Sequence, residues 1–96
     1  EKNNNLTGAI SLLEEALTYL PDDFTTYHLL GVAYGQRGDT QKAIKYFQKE
    51  IELAPENATA YYNLGIAYRN IGNIEAATQN IEKARTLDPN LPQFKK

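Results

Sequence analysis

Few side chains in this sequence have the type and spacing to make or break bonds. His28 is the only histidine and there is no cysteine, so a nucleophile, base and orienting acid would all have to be assembled around this one imidazole. It sits between Tyr27 and Leu29 in a helical pattern, where a groove-lining or packed ring is the expected role. Glu14-Glu15 and Asp22-Asp23 are acidic pairs, but neighbours on a helix or turn point apart and do not straddle a substrate. Solvated charge and helix capping account for them. No phosphate-cradling glycine loop, dinucleotide fingerprint or metal-ligand spacing occurs. The sequence implies no enzymatic activity and no cofactor. Tyr27, Tyr34, Tyr61 and Tyr68 could stack on nucleic-acid bases, but they recur at one spacing and read better as packing positions.

That spacing is the organising feature of the chain. Tyr27-x-x-Leu30-Gly31-x-x-Tyr34, Ala43-x-x-x-Phe47 and Pro55 return as Tyr61-x-x-Leu64-Gly65-x-x-Tyr68, Ala77-x-x-x-Ile81 and Pro89, so Gly31 and Gly65, like Pro55 and Pro89, are 34 residues apart. Ala9, Leu13 and Pro21 stand one period before Ala43, Phe47 and Pro55, a half copy. The pattern resembles the tetratricopeptide repeat, with Tyr for Trp in the first column and Ile81 for an aromatic in the fifth. Both exchanges keep the apolar role. The resemblance spans roughly residues 3–91 and implies an all-α solenoid of antiparallel helix hairpins. About two and a half repeats and five helices would wind into a right-handed superhelix. The expected division is a half repeat over 1–23, full repeats over 24–57 and 58–91, and a tail over 92–96.

With 96 residues the chain is one domain at most. Its hydrophobic content of 42% is that of an ordinary globular domain, and no apolar run approaches the ~20 residues of a membrane span. A net charge of −2 provides no basic footprint for nucleic acid. The start at Glu1 with no Met anywhere reads as a fragment of a longer protein, and the compartment stays open with the cytoplasm favoured.

Five helices are predicted, over residues 6–19, 24–37, 40–54, 58–71 and 74–87. Asn5, Asp23, Asp39, Asn57 and Asn73 stand at their N-caps, and Gly38 and Gly72 end the second and fourth in the left-handed conformation. Gly31 and Gly65 lie inside helices, where each costs about 1 kcal/mol relative to Ala. A close approach of the partner helix at Ala43 and Ala77 is the expected compensation, so Gly65→Leu should force its hairpin apart.

The column expected to meet the next unit is Ile10 and Leu17, then Ile44 and Ile51, then Thr78 and Arg85. It turns polar only in the last helix, which reads as the cap of the array. A further repeat after Leu91-Pro92-Gln93-Phe94 is the alternative. On the first helix Leu6 and Leu13 are expected to be uncovered, which suggests a homo-oligomer formed through that helix.

In proteins of the family this chain resembles, the first helix of each hairpin lines a concave face that holds a peptide or a partner helix. Carried over, the groove would present Thr25, His28, Leu29, Val32 and Gln36 from one hairpin, and Thr59, Tyr62, Asn63, Ile66, Arg69 and Asn70 from the next. Residues 24–38 and 58–72 contain no Asp or Glu, so this face is amide-rich and mildly basic despite the net charge. Amides suit an extended backbone, and Arg69 suits a carboxylate. A carboxylate clamp of the kind that grips chaperone tails is matched at Asn63 alone, since His28 and Val32 stand where Lys and Asn would be needed. The leading expectation is a non-enzymatic protein-binding module whose partner is another protein. A self-assembling segment of a longer array is the alternative, and an accessory domain of an enzyme a third.

Overall fold

The computed structural model describes the backbone of residues 2–91 and the side chains of residues 5–91. Over these residues the chain forms five α-helices and no strand: α1 (Lys2–Tyr19), α2 (Phe24–Arg37), α3 (Thr40–Leu53), α4 (Ala58–Asn70) and α5 (Ile74–Leu87). Each helix packs on its neighbours in sequence, so α2 pairs with α3 and α4 with α5, and α3 joins the two hairpins. The short turns leave antiparallel packing as the only way to bury the apolar stripes. The odd helices form one layer and the even helices the other.

Local signals set most of the boundaries. Asp23 and Asn57 accept hydrogen bonds from the amides of Thr25 and Thr59, and Asn73 accepts from Ala76, so three helices begin at a side-chain cap. Gly38 (φ 95°) and Gly72 (φ 86°) adopt the left-handed region. There the amide of Asp39 reaches the carbonyl of Tyr34 and that of Asn73 reaches Tyr68, each at 2.9 Å, which satisfies carbonyls left open by the preceding helix.

Two N-caps depart from expectation. The first helix does not start at Asn5: its backbone is already helical from Lys2, because Asn4 replaces the glycine that turns the chain at Gly38 and Gly72. Asp39 occupies the N-cap position of α3 without capping it. Its Oδ2 instead accepts from Arg37 Nε and Nη2 at 3.0 and 2.7 Å, a charge-assisted fork that outcompetes a single amide.

The core runs through both hairpins. Leu30, Ala43, Phe47, Ala60, Ala77, Ile81 and Ala84 are all 5% exposed or less, and burying a ring such as Phe47 contributes roughly 1.5–3 kcal/mol. The helical glycines make room for it, Gly65 partly against the backbone at Ala77 as expected and Gly31 against Phe47 instead of Ala43. A Cβ on Gly31 would lie 2.5 Å from the Phe47 ring, and one on Gly65 2.7 Å from Ile81 Cγ1 and 3.0 Å from the Ala77 carbonyl oxygen. Ala43 instead faces Gly35, 3.9 Å from where a Cβ would stand. Of the four repeated tyrosines only Tyr34 is buried, beneath the stacked ring of Tyr46; Tyr27, Tyr61 and Tyr68 are half-buried.

Leu6 and Leu13 are not uncovered as expected. Both are half-buried and pack against the core, along with Leu17. The apolar residues that α1 and the turn after it leave in solvent are Leu12, Tyr19 and Leu20, together with Ala9. At the other end Thr78 and Arg85 are half-buried, and Arg85 Nε is enclosed without a hydrogen-bond partner among the described residues. The expected tail, and most of the segment that could open a further repeat, lie outside the described residues.

Candidate functional site

Gly31 and Gly35 on α2, with Ala67 on α4, keep the two even helices from filling the space between them. The result is a cleft of about 250 Å³ whose floor is Ala43 and Phe47 of α3. Val32 and Gln36 stand on one wall, Asn63, Ile66 and Asn70 on the other. Neither α2 nor α4 carries an Asp or Glu, so the walls offer amide donors and acceptors around apolar contacts, with no carboxylate to repel an anionic group.

Three further expected residues belong to a separate depression. Thr25, His28 and Thr59, with Phe24 and Asn57, surround a hollow of about 260 Å³ at the other end of the same helices. At its base is Glu50, 1% exposed, in a column that holds Ala16 one period earlier and Ala84 one period later. His28 Nδ1 lies 3.2 Å from Glu50 Oε1, and Asn57 Nδ2 donates to Oε2 at 3.0 Å. Since Asn57 Oδ1 also caps α4, the one carboxylate ties α2, α3 and α4 together. Burial pushes the Glu50 carboxyl above its usual range, and His28 partly offsets this. His28 is thus oriented by an acid, but among the described residues no hydroxyl is hydrogen-bonded to its other ring nitrogen.

The remaining expected residues line neither hollow. Leu29 is 45% exposed, Arg69 is exposed, and Tyr62 is half-buried. The groove read from sequence is therefore two hollows, with Leu29, Tyr62 and Arg69 on the surrounding surface. Glu50 escaped the sequence reading; its only signal was a charged residue in an otherwise alanine column.

The other face carries its own polar cluster. Tyr34 donates to Glu14 Oε2 at 2.6 Å and Tyr46 donates to the same oxygen at 3.3 Å. That bond to a carboxylate, then burial, pushes the Tyr34 phenol up to about 12. Burial and Glu14 raise Tyr46 as well. Among the described residues no three potential metal ligands converge, and no helix is long and apolar enough to cross a membrane.

Comparison with known proteins agrees with this architecture. Structures of MamA superpose on the chain: one crystal structure gives a TM-score of 0.86 at 28% identity over 88% of this chain and 50% of that one. MamA from AMB-1 gives 0.85 at 26% identity over 92% and 52%, and residues 41 to the end of MamA from Desulfovibrio magneticus RS-1 give 0.85 at 26% over 96% and 52%. The chain spans about half the length of these MamA chains. No curated protein matches it. A family model for the tetratricopeptide repeat matches residues 24–90. With its phased repeats, five-helix solenoid and glycine-relieved hairpins, the chain belongs to the tetratricopeptide repeat family and is a protein-interaction scaffold.

Proposed function

We propose that the cleft between α2 and α4 binds an extended peptide segment of a partner protein, without catalysis. The observation that carries this reading is its composition: Gln36, Asn63 and Asn70 surround the apolar floor of Ala43 and Phe47 in a hollow walled by two helices free of acidic residues. Amide side chains can pair with both the N–H and the C=O of a peptide backbone, and Val32 and Ile66 can hold one apolar side chain. Leu29, Tyr62 and Arg69 would extend the contact beyond the cleft, and Thr25, His28 and Thr59 would meet the far end of a longer segment. Selection from a random peptide library, followed by amide chemical-shift mapping, tests this. Shifts at Val32, Asn63 and Asn70, and loss of binding in a folded Asn63→Ala, Asn70→Ala variant, support it. A variant that keeps full affinity for every selected peptide refutes it.

A second reading rests on α1. Ala9 is exposed, whereas its equivalents Ala43 and Ala77 are 1% and 0% exposed beneath α2 and α4. With Leu12 70% exposed beside it, this face would let two copies associate through α1. Sedimentation giving a monomer at high concentration would exclude this, and a dimer dispersed by Leu12→Glu would support it.

A further inference from the structure

A second cleft opens between α1 and α3, on the layer of odd helices. It has a volume of about 340 Å³ and a floor of Tyr27 and Tyr34 from α2. Tyr46 stacks on Tyr34, with centroids 5.5 Å apart and planes 7° from parallel. Along the α3 wall run Lys42, Lys45 and Lys49. Their i, i+3, i+7 spacing puts three ammonium groups on one side of the helix over about 10 Å of its axis. Among the described residues Glu14 supplies the only carboxylate lining the cleft, and its Oε2 already accepts from two tyrosines. Lys49 reaches Glu52 at 3.2 Å, and Lys42 Nζ stands 5.2 Å from the centre of the Tyr34 ring. Among the described residues neither Lys42 nor Lys45 has a carboxylate partner.

The repeat provides an internal control. One period later the floor is kept as Tyr61 and Tyr68, and Gln48 stands where Glu14 does, its Nε2 donating to the Tyr68 hydroxyl at 3.0 Å. The α5 wall, however, carries Ala76, Gln79 and Asn80 in place of Lys42, Lys45 and Tyr46, with only Lys83 retained. That interface packs without a lysine row or a stacked tyrosine. The repeat architecture therefore does not require the lysine row in the first copy, where Tyr46 also packs against the core.

We propose that this cleft is a binding site distinct from the one between α2 and α4, and that its occupant is a short acidic peptide segment of a partner protein. Side chains on one face of an extended peptide recur every ~6.5–7 Å, close to the ~5–6 Å between lysine positions on one helix face, so alternate carboxylates can meet successive ammonium groups. The tyrosine floor takes an apolar side chain between them. An anionic membrane is disfavoured, because the site is a cleft and the chain as a whole carries a net charge of −2.

The test uses the whole chain and the labelled pentapeptide Glu-Asp-Phe-Asp-Glu, with an oligolysine peptide and phosphatidylserine vesicles as controls. Expected are salt-sensitive binding of the acidic peptide and ring-proton shifts at Tyr27, Tyr34 and Tyr46. Lys42→Glu with Lys45→Glu should weaken it at least about tenfold, since each attraction becomes a repulsion. Lys42→Ala with Lys45→Gln installs the residues of the second copy and should weaken binding with the melting temperature kept. Asn63→Ala with Asn70→Ala in the other cleft should leave it unchanged. No binding of the acidic peptide, unchanged affinity in the lysine variants, or shifts on α2 and α4 instead would each overturn the proposal. So would lysine-dependent binding to vesicles without binding to the peptide.

Discussion

Gly65→Ala adds one methyl group to α4, and the structure dictates the sign of its effect. In an open helix interior the exchange stabilises by about 1 kcal/mol, because alanine loses less backbone entropy on folding. Here the new carbon would sit 2.7 and 2.8 Å from Ile81 Cγ1 and Cδ1, and 3.0 Å from the Ala77 carbonyl oxygen. Relaxed carbon–carbon contacts are ~3.5–4.0 Å, so the deficit approaches an ångström. Ile81 is 1% exposed and has nowhere to swing, and the carbonyl belongs to the backbone of α5, so relief requires the hairpin to open. Overpacking costs typically ~1–3 kcal/mol, and against a backbone atom and a fully buried side chain it should reach about 2–3 kcal/mol, so after the gain of about 1 kcal/mol the net loss should be about 1–2 kcal/mol. For a domain of this size that lowers the melting temperature by roughly 5–15 °C. Gly8→Ala is the matched control, since nothing stands within 4 Å of its added carbon in α1. It should raise the melting temperature by up to about 4–8 °C. Thermal denaturation followed by circular dichroism reads both. A Gly65→Ala protein as stable as the parent would refute the close approach of α4 and α5.

Two further predictions concern protonation. Burial makes folded Glu50 hold its proton more tightly than the unfolded chain does, so its contribution to stability is largest below the usual carboxylate range and is lost as pH rises through its raised folded value. The melting temperature of the parent relative to Glu50→Gln should therefore fall over that climb in pH, and a difference constant with pH would contradict it. Tyr34 follows the same sign at the alkaline end. Its phenol goes from an ordinary 10.0 to about 12 on folding, so stability drains between those values, and Glu14→Gln should shrink the loss by removing the carboxylate that holds the proton. Alkaline unfolding of the two proteins, followed by fluorescence, would reveal equal losses if the Glu14 bond had no such effect.

The 34-residue period, the hairpin order and the left-handed turns at Gly38 and Gly72 were legible in the sequence. Each is set by interactions within a few residues, or by repetition of the pattern itself. Caps are as local, and Asp23, Asn57 and Asn73 behave as their residue types dictate. Asp39 shows where reading a cap from residue type alone fails, because Arg37, two residues away, competes for the same carboxylate. Amide-bearing positions on α2 and α4 could be named from their columns, but their division into two hollows could not. That division depends on Phe47 flooring one hollow and the Glu50 cluster the other. The burial of Glu50 and its bond to His28, 22 residues away, depends on how α2 crosses α3. The lysine row on α3 could be counted in the sequence; that it faces Tyr27, Tyr34 and Glu14 follows only once α1 and α3 part over α2. Sequence alone determined which residues each helix presents to its neighbours, because backbone periodicity is local. Tertiary structure decided which of those residues meet, because helix spacing and crossing are set by the volumes of side chains far apart in the chain.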